Sequence, residues 1–161
     1  MTITNFKHHP YLSLLRPFVE AYLAFYRVGA RHIESMGVTP SQFDVIAELG
    51  NTEGLTCAEL SKATFVTKGT LTGVLDRLEA KGFLKREQIK GDRRSIKIQL
   101  TPAGEALFQK IFPAHAAFLL PFFEKALTQR EVKQLKVLLA RFRESFEDAG
   151  NGLSRPGVYK R

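Results

Sequence analysis

Apolar residues recur at three- and four-residue spacing along most of the chain, and in one stretch they alternate instead. Leu14, Leu15, Phe18, Tyr22, Phe25 and Tyr26 put a stripe on a helix predicted from about Tyr11 to Met36, with Gly37 as its stop. Phe43, Ile46 and Ala47 mark one face of a second helix, Pro40 to about Leu49, and a short third helix is predicted from about Cys57 to Thr64. Leu71, Val74, Leu75 and Leu78 fall at i, i+3, i+4 and i+7, the buried stripe of a fourth helix from Lys68 to Lys81 that Gly82 ends. The period then drops to two. Ile96, Ile98 and Leu100 alternate with Ser95, Lys97 and Gln99, the pattern of a half-buried strand, and Phe83 to Gln88 is its expected partner. Between them Ile89 to Arg94 reads as a loop with Gly-Asp turn chemistry. After Thr101 the pattern is helical again. One segment runs to about Ala126 through Leu107, Ile111, Phe112, Phe118, Leu119, Phe122 and Phe123, and Pro113 and Pro121 are expected to bend or divide it. Another runs from Gln129 to about Glu147 through Val132, Leu135, Leu138, Leu139, Phe142 and Phe146.

Helix starts are marked by threonine. Thr39, Thr56 and Thr128 each have Gln or Glu three residues on (Gln42, Glu59, Glu131), the spacing of a capping box in which two backbone amides are satisfied reciprocally. Thr101 precedes Pro102, whose fixed φ suits a first helical position. The expected fold is mainly α with a small β-hairpin wing: a winged helix-turn-helix domain flanked by dimerisation helices. Its divisions are an N-terminal helix over 1–38, the winged unit over 39–101, C-terminal helices over 102–148 and a basic mobile tail over 149–161.

The fourth helix and the hairpin carry the candidate chemistry. Opposite its buried stripe the helix presents Gly69, Thr72, Gly73 and Asp76, flanked by Thr70 and Arg77, with Lys68 near its start. Small side chains let a helix backbone approach the major groove, and hydroxyls bond to bases or phosphates. A helix N-terminus also favours nearby phosphate. Arg93 and Arg94, placed at the hairpin tip, can reach an adjacent minor groove, where narrow A·T-rich segments attract arginine. Asp92 is the residue to orient one of these guanidinium groups by a bidentate pair. The candidate DNA contacts are therefore Lys68, Gly69, Thr70, Thr72, Arg77, Arg93 and Arg94.

Composition agrees with a polyanionic partner. The 161 residues carry 24 Lys and Arg against 16 Asp and Glu, a net charge of +8. A single cysteine excludes an intramolecular disulfide, and the four histidines have no zinc-finger spacing. No metal and no cofactor are expected. Met1 to Pro10 has no apolar signal core, and no uninterrupted apolar run reaches the ~20 residues of a membrane span, so a cytoplasmic protein is expected. The chain has no Gly-rich phosphate loop, no Gly-x-Ser-x-Gly elbow and no His-Glu-x-x-His pair, so an enzyme is not expected.

The stretch from about Thr39 to Gly104 resembles the MarR (multiple antibiotic resistance regulator) family. The marks are Leu60-Ser61, Gly69-Thr70-Leu71-Thr72, Asp76-Arg77-Leu78-Glu79, Gly82-Phe83-Leu84, Gly91-Asp92-Arg93-Arg94 and Leu100-Thr101-Pro102-Ala103-Gly104. The resemblance implies a two-fold dimer built by the first and last two helices, a palindromic operator, and transcriptional control relieved by a small ligand or by oxidation. Gly73 departs from the polar or basic residue many relatives carry there, which shifts base readout toward Thr70, Thr72 and the wing. Relatives often bind aromatic acids between the dimer helices and the winged lobe. By that resemblance Tyr11, Arg16, Tyr22 and Phe43 are candidate effector contacts, arginine for a carboxylate and aromatics for a ring.

Other readings stay open. Cys57 lies near a helix N-terminus, where thiolate is favoured, so a redox-responsive regulator is one alternative. The family's peroxide sensors carry their cysteine near the start of the first helix, where this chain has none, and a buried structural cysteine is the commoner case. His8 and His9, with His32 and His115, are a further candidate for a metal site across a dimer, but adjacent histidines are poorly spaced for one ion on a helix. An architectural DNA binder or a winged-helix protein-interaction module is the remaining alternative.

Overall fold

The computed structural model describes residues 9–89 and 92–150, with side chains described except at 89, 92–95 and 148–150. A single 3-10 turn, Leu12–Leu14, leads into α1 (Leu15–Ser35). Then follow α2 (Pro40–Leu49), β1 (Leu55–Thr56), α3 (Cys57–Ala63), α4 (Lys68–Ala80), β2 (Leu84–Ile89), β3 (Asp92–Leu100), α5 (Pro102–Ala126) and α6 (Gln129–Gly150). The chain divides into two compact units, 1–119 and 120–161, so α5 begins in the first and ends in the second.

The first unit is built around α4. Leu71, Val74, Leu75 and Leu78 are all buried, and they meet Val45, Ile46 and Leu49 of α2, Leu60 of α3, Leu84 and Ile98 of the sheet, and Phe108 and Ile111 of α5 in one core. Each such side chain contributes roughly 1.5–3 kcal/mol when fully buried. The helix starts follow the threonines. Thr39 and Thr56 form complete capping boxes with Gln42 and Glu59. Thr128 accepts from the Glu131 amide at 3.3 Å, while its own amide donates to Glu131 Oε2 at 2.7 Å. Thr101 Oγ accepts from the Gly104 amide at 3.1 Å.

Thr101 does more than cap α5. Its hydroxyl donates to the Gly82 carbonyl at 2.6 Å, and its amide donates to the Phe83 carbonyl at 3.1 Å. One residue thus ties the end of α4, the base of the wing and the start of α5. Gly104 completes the tie by its lack of a side chain, since a Cβ there would lie 1.9 Å from the Phe83 carbonyl oxygen. Gly82 takes φ 74°, the left-handed turn that ends α4.

The three strands form an antiparallel sheet in the order β1-β3-β2. Leu55 lies opposite Ile98 on one side, and Arg86 lies opposite Ile98 on the other. Four expectations change here. Leu55–Thr56 is an additional strand on the free edge of β3, paired with Ile98 and Lys97. The hairpin is longer than its alternation suggests: β3 begins at Asp92, with Ile89 paired to Asp92 and a register shift between Gln88 and Ile89. Arg93 and Arg94 therefore stand on a strand near the tip and not in a loop, because backbone pairing continues past the last apolar residue. Helix α5 runs unbroken through Pro113 and Pro121. Both prolines and the residues four before them, Gln109 and Ala117, are on exposed faces, where water can take up the carbonyls that lose their helical donors. Cys57 is an exposed free thiol and not a buried one, because it sits in the first turn of a helix that buries only Leu60.

Among the described helices, α5 alone has the length and apolar composition of a membrane span. Its buried Gly104, Phe108, Ile111 and His115 belong to the packing of the first unit. In the second unit, Val132, Leu135, Leu138, Leu139, Phe142 and Phe146 of α6 are exposed. So are Leu15, Phe18, Val19, Tyr22, Leu23, Phe25 and Tyr26 of α1. The tail over 151–161 lies outside the described residues.

Candidate nucleic-acid interface

Because the inward stripe of α4 is fully committed to the core, its orientation fixes what faces out. Thr67, Lys68, Gly69, Thr70, Thr72, Asp76 and Arg77 are exposed, and Gly73 is partly so. Thr67 is the N-cap but makes no side-chain cap bond; its hydroxyl lies 3.0 Å from that of Thr70. The structure thus brings Lys68, Gly69, Thr70, Thr72 and Arg77 onto one helix surface. At Gly73, Nη2 of Arg77 comes within 3.6 Å of where a Cβ would stand, so the guanidinium folds back along the helix over the missing side chain.

The wing is held against this helix by a residue that sequence reasoning passed over. Arg86 on β2 donates to Asp76 Oδ1 at 2.7 Å and, through its other terminal nitrogen, to Glu79 Oε2. Burial acts against the Arg86 charge, but its bond to Asp76 and the field of both carboxylates more than offset it and hold the guanidinium above its ordinary value. Asp76 consequently serves the scaffold, although its position on α4 is outward. The helix-to-strand separation of ten residues hides this pair from any local pattern. The side chains of Asp92, Arg93 and Arg94 lie outside the described ones; their backbones are the first three residues of β3.

The turn before α4 is pinned from α2. The Phe65 amide donates to Asp44 Oδ2 at 2.7 Å. Burial raises the Asp44 carboxyl above its usual range, and that amide pulls it partly back. An open cleft of about 620 Å³ lies among Glu34 of α1, Thr39 and Gln42 at the start of α2, and Arg77, Ala80 and Lys81 at the end of α4, so Arg77 borders both the outward face of α4 and this cleft.

The four candidate effector contacts have different immediate partners. Tyr11 is 85% exposed, Arg16 pairs with Glu20 at 2.7 Å, and Tyr22 stacks on Tyr26 at 6.2 Å. Phe43 instead packs on Phe112 at 6.3 Å and edge-on to His115 at 4.9 Å. Among the described residues no hydrogen bond, ion pair or ring contact joins Phe43 to the other three. What it joins is a cluster of α1, α2 and α5 that sequence reasoning missed as a unit. His32 and His115 face each other with Nδ1 atoms 3.1 Å apart, and Phe118 stacks on His32 at 3.9 Å. Burial, with His32 beside it, holds His115 below the ordinary histidine range. The helical spacing of Phe112, His115 and Phe118 was the available signal. Among the described residues no group of three or more His, Cys, Asp or Glu side chains could hold a metal.

Known proteins bear on this geometry directly. The profile of the MarR family matches residues 36–95, from the end of α1 into the wing. The HTH-type transcriptional regulator YkoM of Bacillus subtilis is 32% identical over 128 residues, which is 80% of this chain and 82% of that one. The chain belongs to the MarR family. A mutant E. coli MarR crystallised with operator DNA is 28% identical, with a TM-score of 0.72 over 81% of this chain and 93% of that one. BpsR of Bordetella bronchiseptica, whose DNA binding is regulated by 6-hydroxynicotinic acid, is 25% identical, with a TM-score of 0.64 over 78% of this chain and 98% of that one. As a MarR-family protein the chain is a DNA-binding transcription regulator with a winged-helix fold, and not an enzyme.

Proposed function

We propose that the protein is a cytoplasmic, dimeric repressor that binds a palindromic operator and is released by a small, aromatic acid-type effector. The outward face of α4, small and hydroxyl-rich, clamped through Arg86 to a basic hairpin, is the observation that carries this reading. Lys68, Gly69, Thr70, Thr72 and Arg77 would face the major groove, and Arg93 and Arg94 an adjacent minor groove, with Asp92 orienting one of the two. The exposed apolar residues along α1 and along α6 support a second copy as the missing cover, since exposed apolar patches mark interfaces. Two recognition helices in a symmetric dimer would stand one DNA turn apart, about 34 Å. The effector class is supported by BpsR and its 6-hydroxynicotinic acid.

A gel-shift with duplex from the region upstream of the protein's own gene tests the reading. One discrete complex is expected, weakening steeply with salt. Arg94→Ala should cost about 1–3 kcal/mol of binding, and normal operator binding by that variant would remove the wing from the interface. Equal affinity for this duplex and for random DNA would favour an architectural binder instead.

A further inference from the structure

Phe65, in the turn between α3 and α4, is 95% exposed, and among the described residues no large apolar residue is more so. Its backbone is held on three sides. Thr64 and Val66, before and after it, are both buried. The Thr64 hydroxyl donates to the Leu60 carbonyl at 2.7 Å, and the Phe65 amide donates to Asp44 Oδ2 at 2.7 Å. The ring is therefore presented from a fixed base. It contributes nothing to the core, although burying a phenylalanine is worth roughly 1.5–3 kcal/mol.

The surroundings say what the ring faces. Two residues later Thr67 opens α4, and Thr67, Lys68, Gly69 and Thr70 are all exposed. On the other side, Lys62 and Ala63 are exposed as well. An apolar protein contact is depleted of such charge at its centre. An exposed ring flanked along the chain by exposed Lys62, Thr67, Lys68 and Thr70, just before α4, instead suits a polyanion that also offers apolar surface. Duplex DNA does so in the thymine methyl groups and the deoxyribose faces.

We propose that Phe65 makes an apolar contact with the DNA duplex at the edge of the site read by α4, against a thymine methyl or a deoxyribose. This rests on α4 being the helix that meets DNA. The full-length protein is first used to select its preferred duplex from a random pool. Binding of that duplex is then measured by fluorescence anisotropy for the wild type, Phe65→Ala, Phe65→Leu and Lys68→Ala. Phe65→Ala should weaken binding roughly tenfold, and Phe65→Leu should retain most of it. Replacing thymines one at a time by deoxyuridine separates the two DNA groups. A single position that weakens the wild type and leaves Phe65→Ala unchanged identifies a methyl contact. Weakened Phe65→Ala with no such position identifies deoxyribose. Phe65→Ala binding within twofold of wild type, with Lys68→Ala weakened, overturns the proposal and leaves α4 as the reading helix. Wild-type binding by both variants removes α4 from the interface, and the proposal with it. Phe65→Ala with a lowered melting temperature and equal loss on every duplex would assign the ring to folding and also overturn it.

Discussion

The imidazole of His115 is where solution conditions reach the interior of the first unit. It is 8% exposed and meets Phe43 edge-on, with its Nδ1 against that of His32. Burial and the neighbouring His32 depress its folded-state pKa, so below the ordinary histidine range the unfolded chain takes up a proton that the folded chain resists. Stability from this residue is complete above about pH 6.5 and is lost progressively as pH falls below that value. Urea midpoints at pH 7.5 and 5.5 should therefore differ, with the acidic midpoint lower. His115→Phe should shrink that difference, and an undiminished difference would place the titrating group elsewhere. The hydrogen bond between the two rings needs one Nδ1 protonated and the other bare.

Among the elements, those with chemical punctuation were legible in the sequence and those defined by partners were not. Helix α2 has the predicted bounds, and α3 and α4 end one residue short of theirs, because a threonine cap, a buried stripe and a glycine stop act locally. The two residues of β1 have no period to read; Leu55 and Thr56 are a strand only because Ile98 and Lys97 are opposite. Pro113 and Pro121 were expected to break α5, but their own dihedrals are compatible with a helix and their cost falls on exposed carbonyls. The outward residues of α4 followed from its stripe, whereas the tie that fixes the wing beside them did not. Arg86 reaches Asp76 and Glu79 across a turn whose path no local pattern specifies. With both carboxylates substantially exposed, Arg86→Ala should change folding stability by no more than about 1 kcal/mol. Operator affinity should fall by a larger factor, since helix and wing lose their common orientation. Melting temperature and gel-shift midpoint measured on one preparation separate the two. A loss of affinity no greater than the loss of stability would demote the clamp to an ordinary surface pair.

At the level of the whole molecule, the isolated chain leaves apolar stripes of α1 and α6 uncovered, which the proposed dimer would cover. Leu138 on α6 and Tyr26 on α1 are each about half exposed, within longer exposed stripes. A solution mass of twice the 18.1 kDa chain is expected by light scattering, and Leu138→Glu should shift it toward the single chain and abolish the discrete operator complex. A dimer that survives this change would move the interface off that face of α6. The two sides of α4 matter on a longer timescale. Leu71, Val74, Leu75 and Leu78 hold the helix, while Lys68, Gly69, Thr70 and Thr72 lie outside the core. Exposed substitutions of that kind usually shift stability by no more than about 0.5 kcal/mol. If that face reads DNA as proposed, a lineage can drift through different operator preferences along a nearly neutral path, rewiring which genes it governs. Asp76 and Arg86 lack that freedom, because among the described residues Arg86 is the one ion-pair link from the wing to both Asp76 and Glu79 of α4, and Asp76 is half of it.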